Sequence, residues 1–390
     1  MARGASAGLL DEQRAQSVHK HAIIGRYLPV FIAKTGVGGP VALVDGFAGT
    51  GRAGGSLGSS GLMLAAATKM HAHRDVRIYL VEQNRARHAE LAALTAEFQA
   101  AGVSAEARRC NITEELHSII EASMDASLFL FLDPCGAQLP FDQVASALQS
   151  RRRAVRPTEA CLNLSADLTR RAAGQLLRPE GSQSGVGSLD AVCGGQWWHQ
   201  IVHDLAPGPG DSFKPIAEAV AAEYAHRLCG STQMTSLVIG IARNERHQAL
   251  YHLVFLTGSD HGLAAFADAI GRARPDWIEA TQPSSDPSQG DLLAVFGDQF
   301  TPKGWARRRA ESERDATVDE VVANLRSLAA REATFTPLEH VTEIYGHALG
   351  TACDTQIARA LRRLVDGSEL VVLRPHARPM QRTYGRRPQA

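Results

Sequence analysis

The sequence predicts an α/β protein with a mostly parallel β-sheet and helices on both faces, followed by a smaller domain near the carboxyl terminus. Three apolar runs carry this prediction, because each resembles a buried parallel strand and each ends in an acid. They are Val41–Asp45, Arg77–Glu82 and Ser127–Asp133. Since the carboxyl ends of parallel strands open onto a common crevice, we expect the three carboxylates to face a ligand.

A glycine-rich turn, DGFAGTG, follows the first of these runs, with glycines at 46, 49 and 51. Glycine lets the backbone turn sharply and approach a ligand that a Cβ would hold off, although such turns also occur without ligands. The spacing argues against a dinucleotide site, since the third glycine of GxGxxG is missing and Glu82 lies 31 residues beyond Gly51 rather than about 20. The chain also lacks GxxxxGK(S/T), which argues against a P-loop.

Glu82 ends the second run and suits a carboxylate that accepts hydrogen bonds from two ribose hydroxyls. The alternative is an exposed N-cap for the helix that begins near Asn84. The pattern D-x-F-A-G-x-G, an acid ending the next strand and a D-P-x-G turn at 133–136 together resemble the class I S-adenosylmethionine-dependent methyltransferases. That resemblance implies a Rossmann-like sheet and S-adenosylmethionine as the cofactor.

A narrower resemblance covers roughly residues 15 to 275. Lys20 before YLPVFI, then VDGFAGTGRAGGSLGSSGLMLA, LFLFLDPCG and YHLVFLTGSDHGLAAFADAI, are similar to the three-Cys-motif partner proteins. These form a bacterial family of methyltransferase-like proteins, often with an appended winged helix. The resemblance implies a three-Cys-motif protein as partner.

The class assigns roles to the matching positions. Asp45 orders water or backbone near the methionine amino group, Gly49 and Gly51 let the methionine part lie against the main chain, and Glu82 holds the ribose. Asn111 stands where the class often has an acid that contacts the adenine amine, and its carbonyl can also accept a hydrogen bond. The expected cofactor-binding residues are Asp45, Phe47, Gly49, Gly51, Glu82 and Asn111.

Asp133 and Pro134 are the expected catalytic residues. Methyl transfer to an amine needs the nitrogen lone pair aligned with the methyl group, and a carboxylate beside a proline carbonyl offers two acceptors on one turn. Related enzymes use D/N-P-P-Y/F, with the aromatic ring stacked on the base. Here Cys135 and Gly136 follow, as in the D-P-F-G of guanine dimethyltransferases acting on tRNA except for the cysteine. Stacking would then come from elsewhere, such as Phe141, Trp197 or Trp198.

Composition bounds the remaining possibilities. The chain has 390 residues, 44% apolar and 21% charged, with a formal net charge of zero, which argues against indiscriminate polyanion binding. We expect neither a membrane span nor a signal peptide, and place the protein in the cytoplasm. The six cysteines never fall in a CxxC or metal-finger spacing, so no metal site is expected. Cys135 is interpreted as a packing residue, with a nucleophile as the alternative.

The carboxyl-terminal part predicts a winged helix. Helical periodicity covers Ala316–Leu328 and Pro337–Leu349, and a third helix follows Asp354 and stops at Gly367 before the strand SELVVLRP. The third helix would be the recognition helix, and the alternative is a protein-docking or dimerisation module. Its expected nucleic-acid contacts are Gln356, Arg359, Arg362 and Arg363.

The predicted domains are a methyltransferase-like domain at 1–280, a linker at 281–310, the winged helix at 311–374 and a tail at 375–390. Within the first, 178–195 is rich in glycine and serine and predicts a mobile insertion. The tail is basic and rich in proline, which predicts disorder. Its Arg378 and Arg382 are expected to contact phosphates, and the alternative is a feature that only aids solubility.

These observations favour methyl transfer from S-adenosylmethionine to an exocyclic amine of a nucleic-acid base. The rival hypothesis is a non-catalytic scaffold that keeps the cofactor fold and acts through a three-Cys-motif protein. The missing aromatic residue after Asp133 and Pro134 favours the scaffold. The enzyme is favoured by four intact residues, Asp45, Gly49, Gly51 and Glu82.

Overall fold

A computed structural model describes residues 15–134, 139–178, 180, 183–208, 210–282 and 301–387. The chain forms two compact units, one of residues 1–17 and 27–259 and one of residues 18–26 and 260–390. Cys135 and Gly136 of the predicted D-P-x-G turn lie outside the described residues, as do 283–300 of the predicted linker.

The first unit is built on a seven-stranded sheet in its described residues. In chain order the strands of this unit are β1 Val41–Asp45, β2 Arg52–Ala53, β3 Ser56–Leu57, β4 Val76–Val81, β5 Ser104–Arg108, β6 Ser127–Leu132, β7 Thr158–Leu164, β8 Thr235–Ile241 and β9 Tyr251–Thr257. The sheet order is β5-β4-β1-β6-β7-β9-β8, and β9 runs antiparallel to the other six strands. This is the strand order of the Rossmann-like class I methyltransferase sheet, and it confirms the predicted fold class.

Helices follow the strands. Those that begin before residue 281 are α1 Ala15–Thr35, α2 Ser59–Met70, α3 Arg85–Ala100, α4 Ile112–Ala122, α5 Phe141–Ser150, α6 Ala166–Leu176, α7 Ser184–Cys193, α8 Trp197–Asp204, α9 Lys214–Thr232 and α10 Asp260–Ala280. Every residue of β1 and β6 is buried, as their apolar sequences predict. Side chains of these strands, β7, α4, α5 and α9 form the main core. The polar strand ends are therefore the parts of the sheet left for chemistry.

The predicted mobile insertion at 178–195 is corrected by the structure. Most of its second half is α7, whose Leu189 is fully buried among α6, α8 and α9. Gly194 ends α7 in the left-handed region with φ 69°, so one of the glycines stops a helix rather than loosening a loop. Pro179, Gly181 and Ser182 lie outside the described residues.

The second unit contains α10 together with later elements. These are α11 Pro302–Ala316, α12 Val318–Arg331, β10 Thr334–Phe335, α13 Val341–Tyr345, α14 Asp354–Asp366, β11 Leu370–Arg374 and β12 Thr383–Arg386. The three strands form an antiparallel sheet in the order β10-β12-β11. Buried Leu325, Ile357 and Leu361 supply part of its core.

The structure also corrects the predicted domain limits. The boundary between compact units falls at 259/260, so α10 groups with the carboxyl-terminal elements. Helix α11 begins inside the predicted linker. The predicted disordered tail contains β12, where Tyr384 is 1% exposed and pairs with Phe335 and Val372. The prolines at 375 and 379 bound a hairpin turn here, because both lie between the paired strands; residues 388–390 lie outside the described residues.

Among the helices that the structure describes, none combines the length and the apolar character needed to cross a bilayer.

Candidate functional site

Asp45, the last residue of β1, is fully buried at the carboxyl edge of the sheet. Its Oδ2 accepts hydrogen bonds from Ser59 Oγ at 2.6 Å and Ser60 Oγ at 2.9 Å, and its Oδ1 accepts one from the Phe47 amide at 3.1 Å. Burial raises the pKa of this carboxyl, and the three hydrogen bonds oppose that rise. Asp45 therefore ties the glycine loop, residues 46–51, to the first turn of α2.

Glu82 follows β4 and is only 6% exposed, so the alternative of an exposed N-cap is wrong. Its Oε2 accepts a hydrogen bond from the Gly49 amide at 3.1 Å, and its Oε1 accepts one from the Asn84 amide at 2.6 Å. The Arg87 guanidinium, half exposed, lies 3.3 Å from Oε1. Asn84 is the true N-cap of α3. Glu82 thus supports the glycine loop from the neighbouring strand.

The two predicted loop glycines differ in their surroundings. Both have positive φ, 61° at Gly49 and 78° at Gly51. A Cβ added at Gly49 would meet none of the described atoms within 4 Å, whereas one at Gly51 would lie 2.5 Å from Leu94 Cδ2. Gly49 therefore borders open space that a ligand can occupy, and Gly51 is required for close packing against α3.

Phe47 belongs to this loop, and Asn111 precedes Ile112, whose side chain packs against Gly46. Phe47 is half-buried and packs against the main core. Asn111 is the N-cap of α4, and its side chain accepts a hydrogen bond from the Thr113 amide at 3.1 Å. This helix cap uses one of the two acceptor sites on the side-chain carbonyl oxygen of Asn111.

Asp133 follows β6, one strand along from Asp45, and is half-buried together with Pro134. Its Oδ1 accepts a hydrogen bond from the Asn163 side-chain amide on β7. Asp133 does not cap the next helix, because α5 has Pro140 at its N-cap. The negative charge of Asp133 adds, as the smallest contribution, to the raised pKa of Asp45, which places both acids in one electrostatic neighbourhood.

A polar cleft of about 520 Å³ opens at the same edge, beyond β7. Arg170, Arg243, His247 and Phe213 are among its lining residues. Arg170 donates a hydrogen bond to the Ala249 carbonyl at 2.6 Å and is thereby held in place. The arginines are balanced by two lining acids, Asp167 and Asp211, and Asp167 lies 3.6 Å from the Arg170 guanidinium.

The aromatic residues suggested for base stacking are committed to other contacts. Trp198 is fully buried and donates a hydrogen bond to Asp190 at 2.8 Å, so it packs in the core. Trp197 carries the Arg227 guanidinium over its ring at 4.7 Å. Phe141 packs edge-on against Tyr224 at 5.7 Å. Trp198 is therefore ruled out as a stacking surface.

In the second unit, the structure places the predicted nucleic-acid contacts in two groups. The first is on α14. Gln356 is 6% exposed and accepts a hydrogen bond from the Cys353 amide at 3.2 Å, so the predicted groove contact by Gln356 is wrong. Arg359 forms an ion pair with Asp315, and Arg363 one with Asp319. Arg362 is exposed.

The second group lies after β11. Arg378 is exposed, and Arg382 is half-buried with its Nε donating to the His376 carbonyl at 2.7 Å. Both belong to a folded turn rather than to a disordered tail.

Sequence reasoning missed three residues of the site: Ser59, Ser60 and Asn163. The two serines open α2 immediately after the glycine-rich stretch, and Asn163 is the polar residue within the otherwise apolar second half of β7, residues 160–164. A polar residue inside a buried strand was the available signal for Asn163. Across the described residues, His, Cys, Asp and Glu side chains nowhere group in threes suited to a metal ion.

No family model matches the chain, and no curated protein matches it. Solved structures do. The small RNA methyltransferase HEN1 is 12% identical with a TM-score of 0.35; the match covers 66% of this chain and only 27% of HEN1. LPL1258 from Legionella pneumophila is 9% identical; the match covers 75% of this chain and 94% of LPL1258, with a TM-score of 0.34. The plantazolicin methyltransferase BamL, solved with SAH, is 11% identical; the match covers 62% of this chain and 85% of BamL, with a TM-score of 0.28.

Proposed function

We propose that the first unit is an S-adenosylmethionine-dependent methyltransferase that acts on an exocyclic amine of a nucleic-acid base. The proposal depends on one observation. The backbone of Gly49 borders open space, and its loop is held by hydrogen bonds from the Phe47 amide to Asp45 and from the Gly49 amide to Glu82. The loop follows β1 at the carboxyl edge of the sheet, and this position supports the proposal because open α/β sheets bind ligands beyond the carboxyl ends of their strands.

The residues at this edge fit the cofactor. An ionised carboxylate has about four acceptor sites, and two backbone amides use two of those on Glu82. Ribose hydroxyls would take the others in place of Arg87, whose half-exposed side chain can move aside. Asn111 and Phe47 would border the adenine. S-adenosylmethionine supplies a methyl group on a sulfonium, which is electrophilic without a metal.

Asp133 is proposed to accept a hydrogen bond from the target amine and so to aim the nitrogen lone pair. Asn163 donates to Oδ1 and fixes the carboxylate, so that Asp133 and the Pro134 carbonyl would present acceptors on one rigid turn. With S-adenosylmethionine bound, the target nitrogen would take the methyl group as the carbon–sulfur bond breaks, and the proton lost from nitrogen would pass to solvent. Phe213 in the neighbouring cleft is proposed to stack on the base, with Arg243 facing a phosphate.

The second unit is proposed to be a winged helix that binds nucleic acid. The order α12, β10, α13, α14, β11, β12 and the antiparallel sheet support this assignment. The same proposal includes membership of the three-Cys-motif partner family, a three-Cys-motif protein as partner and a cytoplasmic location.

A non-catalytic scaffold is the second candidate, and one observation favours it. Asp45 and Glu82 both make hydrogen bonds within the protein, so the fold has its own use for them. A scaffold that has lost the cofactor would keep these two residues for stability.

Methyl transfer from radiolabelled S-adenosylmethionine to DNA and RNA pools tests the proposal. Asp133→Ala should lower transfer by about 10² to 10⁴ while cofactor affinity stays near that of the unmutated protein, because the residue faces the substrate. Asp142→Ala, an exposed acid on α5, is the matched control and should transfer normally. Absence of transfer by the unmutated protein on every pool, with cofactor bound, would favour the scaffold.

A further inference from the structure

One β-hairpin of the second unit is strongly basic. The hairpin, residues 370–387, consists of β11, a turn and β12. It contains no acid. Its five arginines are Arg374, Arg378, Arg382, Arg386 and Arg387. Within the described residues none of these guanidiniums forms a salt bridge, although Arg378 acts at longer range on the pKa of Asp354.

Helix α14 differs from the hairpin, because most of its arginines form ion pairs. Ion pairs to Asp315 on α11 and Asp319 on α12 engage two of its three arginines, Arg359 and Arg363. Its first and last residues are the acids Asp354 and Asp366. A phosphate would have to compete with Asp315 and Asp319 for these guanidiniums, so the helix offers little net positive charge.

The turn of the hairpin has a defined conformation. The Arg382 Nε bond to the His376 carbonyl closes it, the Arg378 amide donates to His376 Nδ1 at 3.1 Å, and Met380 is buried beneath. Residues 374–378 are exposed along one stretch. The arginine side chains therefore extend from a backbone that is already folded, which lowers the conformational entropy lost on binding.

The exposed face of β11 is apolar. Val371 is 39% exposed and Leu373 49%, and both alternate with the more buried Leu370 and Val372. Exposed aliphatic side chains flanked by arginines suit a groove in which the cations meet phosphates and the aliphatic groups meet sugars and base edges. A single small anion would not need these apolar positions.

We propose that this hairpin, and not α14, is the surface by which the second unit binds the backbone and groove of duplex nucleic acid. The inference rests on the proposed function, since it names how the substrate is held. Because β12 also pairs with β10, only β11 and the turn are free to enter a groove; the major groove of B-form DNA is wide enough to admit them, whereas that of A-form RNA is too narrow. The hairpin is therefore matched to duplex DNA.

The test compares two double variants of the full chain with equal loss of charge. Arg374→Gln with Arg378→Gln should weaken binding to a DNA duplex and make the slope of log K against log salt shallower by about two. Arg359→Gln with Arg363→Gln should leave both affinity and slope near those of the unmutated protein. Fluorescence anisotropy over a salt series measures both, and thermal melting confirms that each variant is folded.

Three results would overturn the inference: unchanged binding by the hairpin variant, an equal loss in the helix variant, or an RNA duplex of the same sequence bound as tightly as DNA. Because the readout is binding without methyl transfer, its outcome is separate from that of the proposed reaction. A protein that binds DNA through the hairpin but transfers no methyl group would contradict the proposed function alone.

Discussion

At the scale of single residues, the two glycines of the loop that look alike in sequence have different tasks. Gly51 has no space for a side chain, because Leu94 and Leu91 of α3 lie 2.5 and 3.2 Å from the place of its Cβ. Gly49 has that space on its exposed side. Sequence reasoning gave both glycines one role, because a glycine pattern does not tell which side of the loop faces the protein.

Substituting asparagine at each glycine separates these roles, since asparagine tolerates positive φ better than most residues. Gly51→Asn should lower the free energy of unfolding by about 1 to 3 kcal/mol through overpacking against Leu94. Gly49→Asn should lower it by less than about 1 kcal/mol. Urea unfolding measures both values, and equal losses at the two positions would contradict the distinction.

At the scale of elements, the sequence was sufficient for the buried strands and insufficient for the short or polar ones. The runs that end at Asp45 and Asp133 are almost entirely apolar and their strands are fully buried, whereas β4 before Glu82 alternates, with Arg77 and Tyr79 half-buried. Strand β12 contains one apolar side chain, that of Tyr384. It is a strand because β10 and β11 pair with it, and such long-range pairing leaves little trace in a local pattern.

The helix cap at Asn111 gives a prediction for α4. Asn111→Ala should lower the free energy of unfolding by about 1 kcal/mol, because the Thr113 amide loses its acceptor. Asn111→Asp should keep the cap and the stability, and its second oxygen should maintain or improve cofactor affinity. Unfolding and calorimetric titration of the two variants provide the comparison, and an Asp variant as unstable as the Ala variant would refute the cap.

At the scale of the whole molecule, a buried acid couples the stability of the first unit to pH. Glu159 on β7 is 3% exposed and accepts hydrogen bonds from Tyr27 on α1 and Thr257 on β9, the latter at 2.9 Å. Burial raises its pKa to about 7, against the partial opposition of these hydrogen bonds. Three distant parts of the chain thus meet at one titrating group.

The sign of the pH effect follows from proton binding. Between pH 4.5 and about 7 the folded state holds a proton on Glu159 that the unfolded chain has released, so this group makes stability fall as pH rises. Glu159→Gln removes that dependence. The free energy of unfolding of the variant minus that of the unmutated protein should therefore rise by about 2 to 3 kcal/mol from pH 5 to pH 8. A difference independent of pH would show that Glu159 is not protonated in the fold.

Isothermal titration with S-adenosylmethionine is the most direct test of the central claim, that the loop between Asp45 and Glu82 borders a cofactor site. The account predicts saturable one-to-one binding by the unmutated protein and a loss of at least about tenfold in Gly49→Asn, whose side chain enters the open space while the fold is kept. Gly51→Asn, measured below its melting transition, should bind more tightly than Gly49→Asn. No heat of binding with folded, unmutated protein, or equal affinity in Gly49→Asn, would contradict the account.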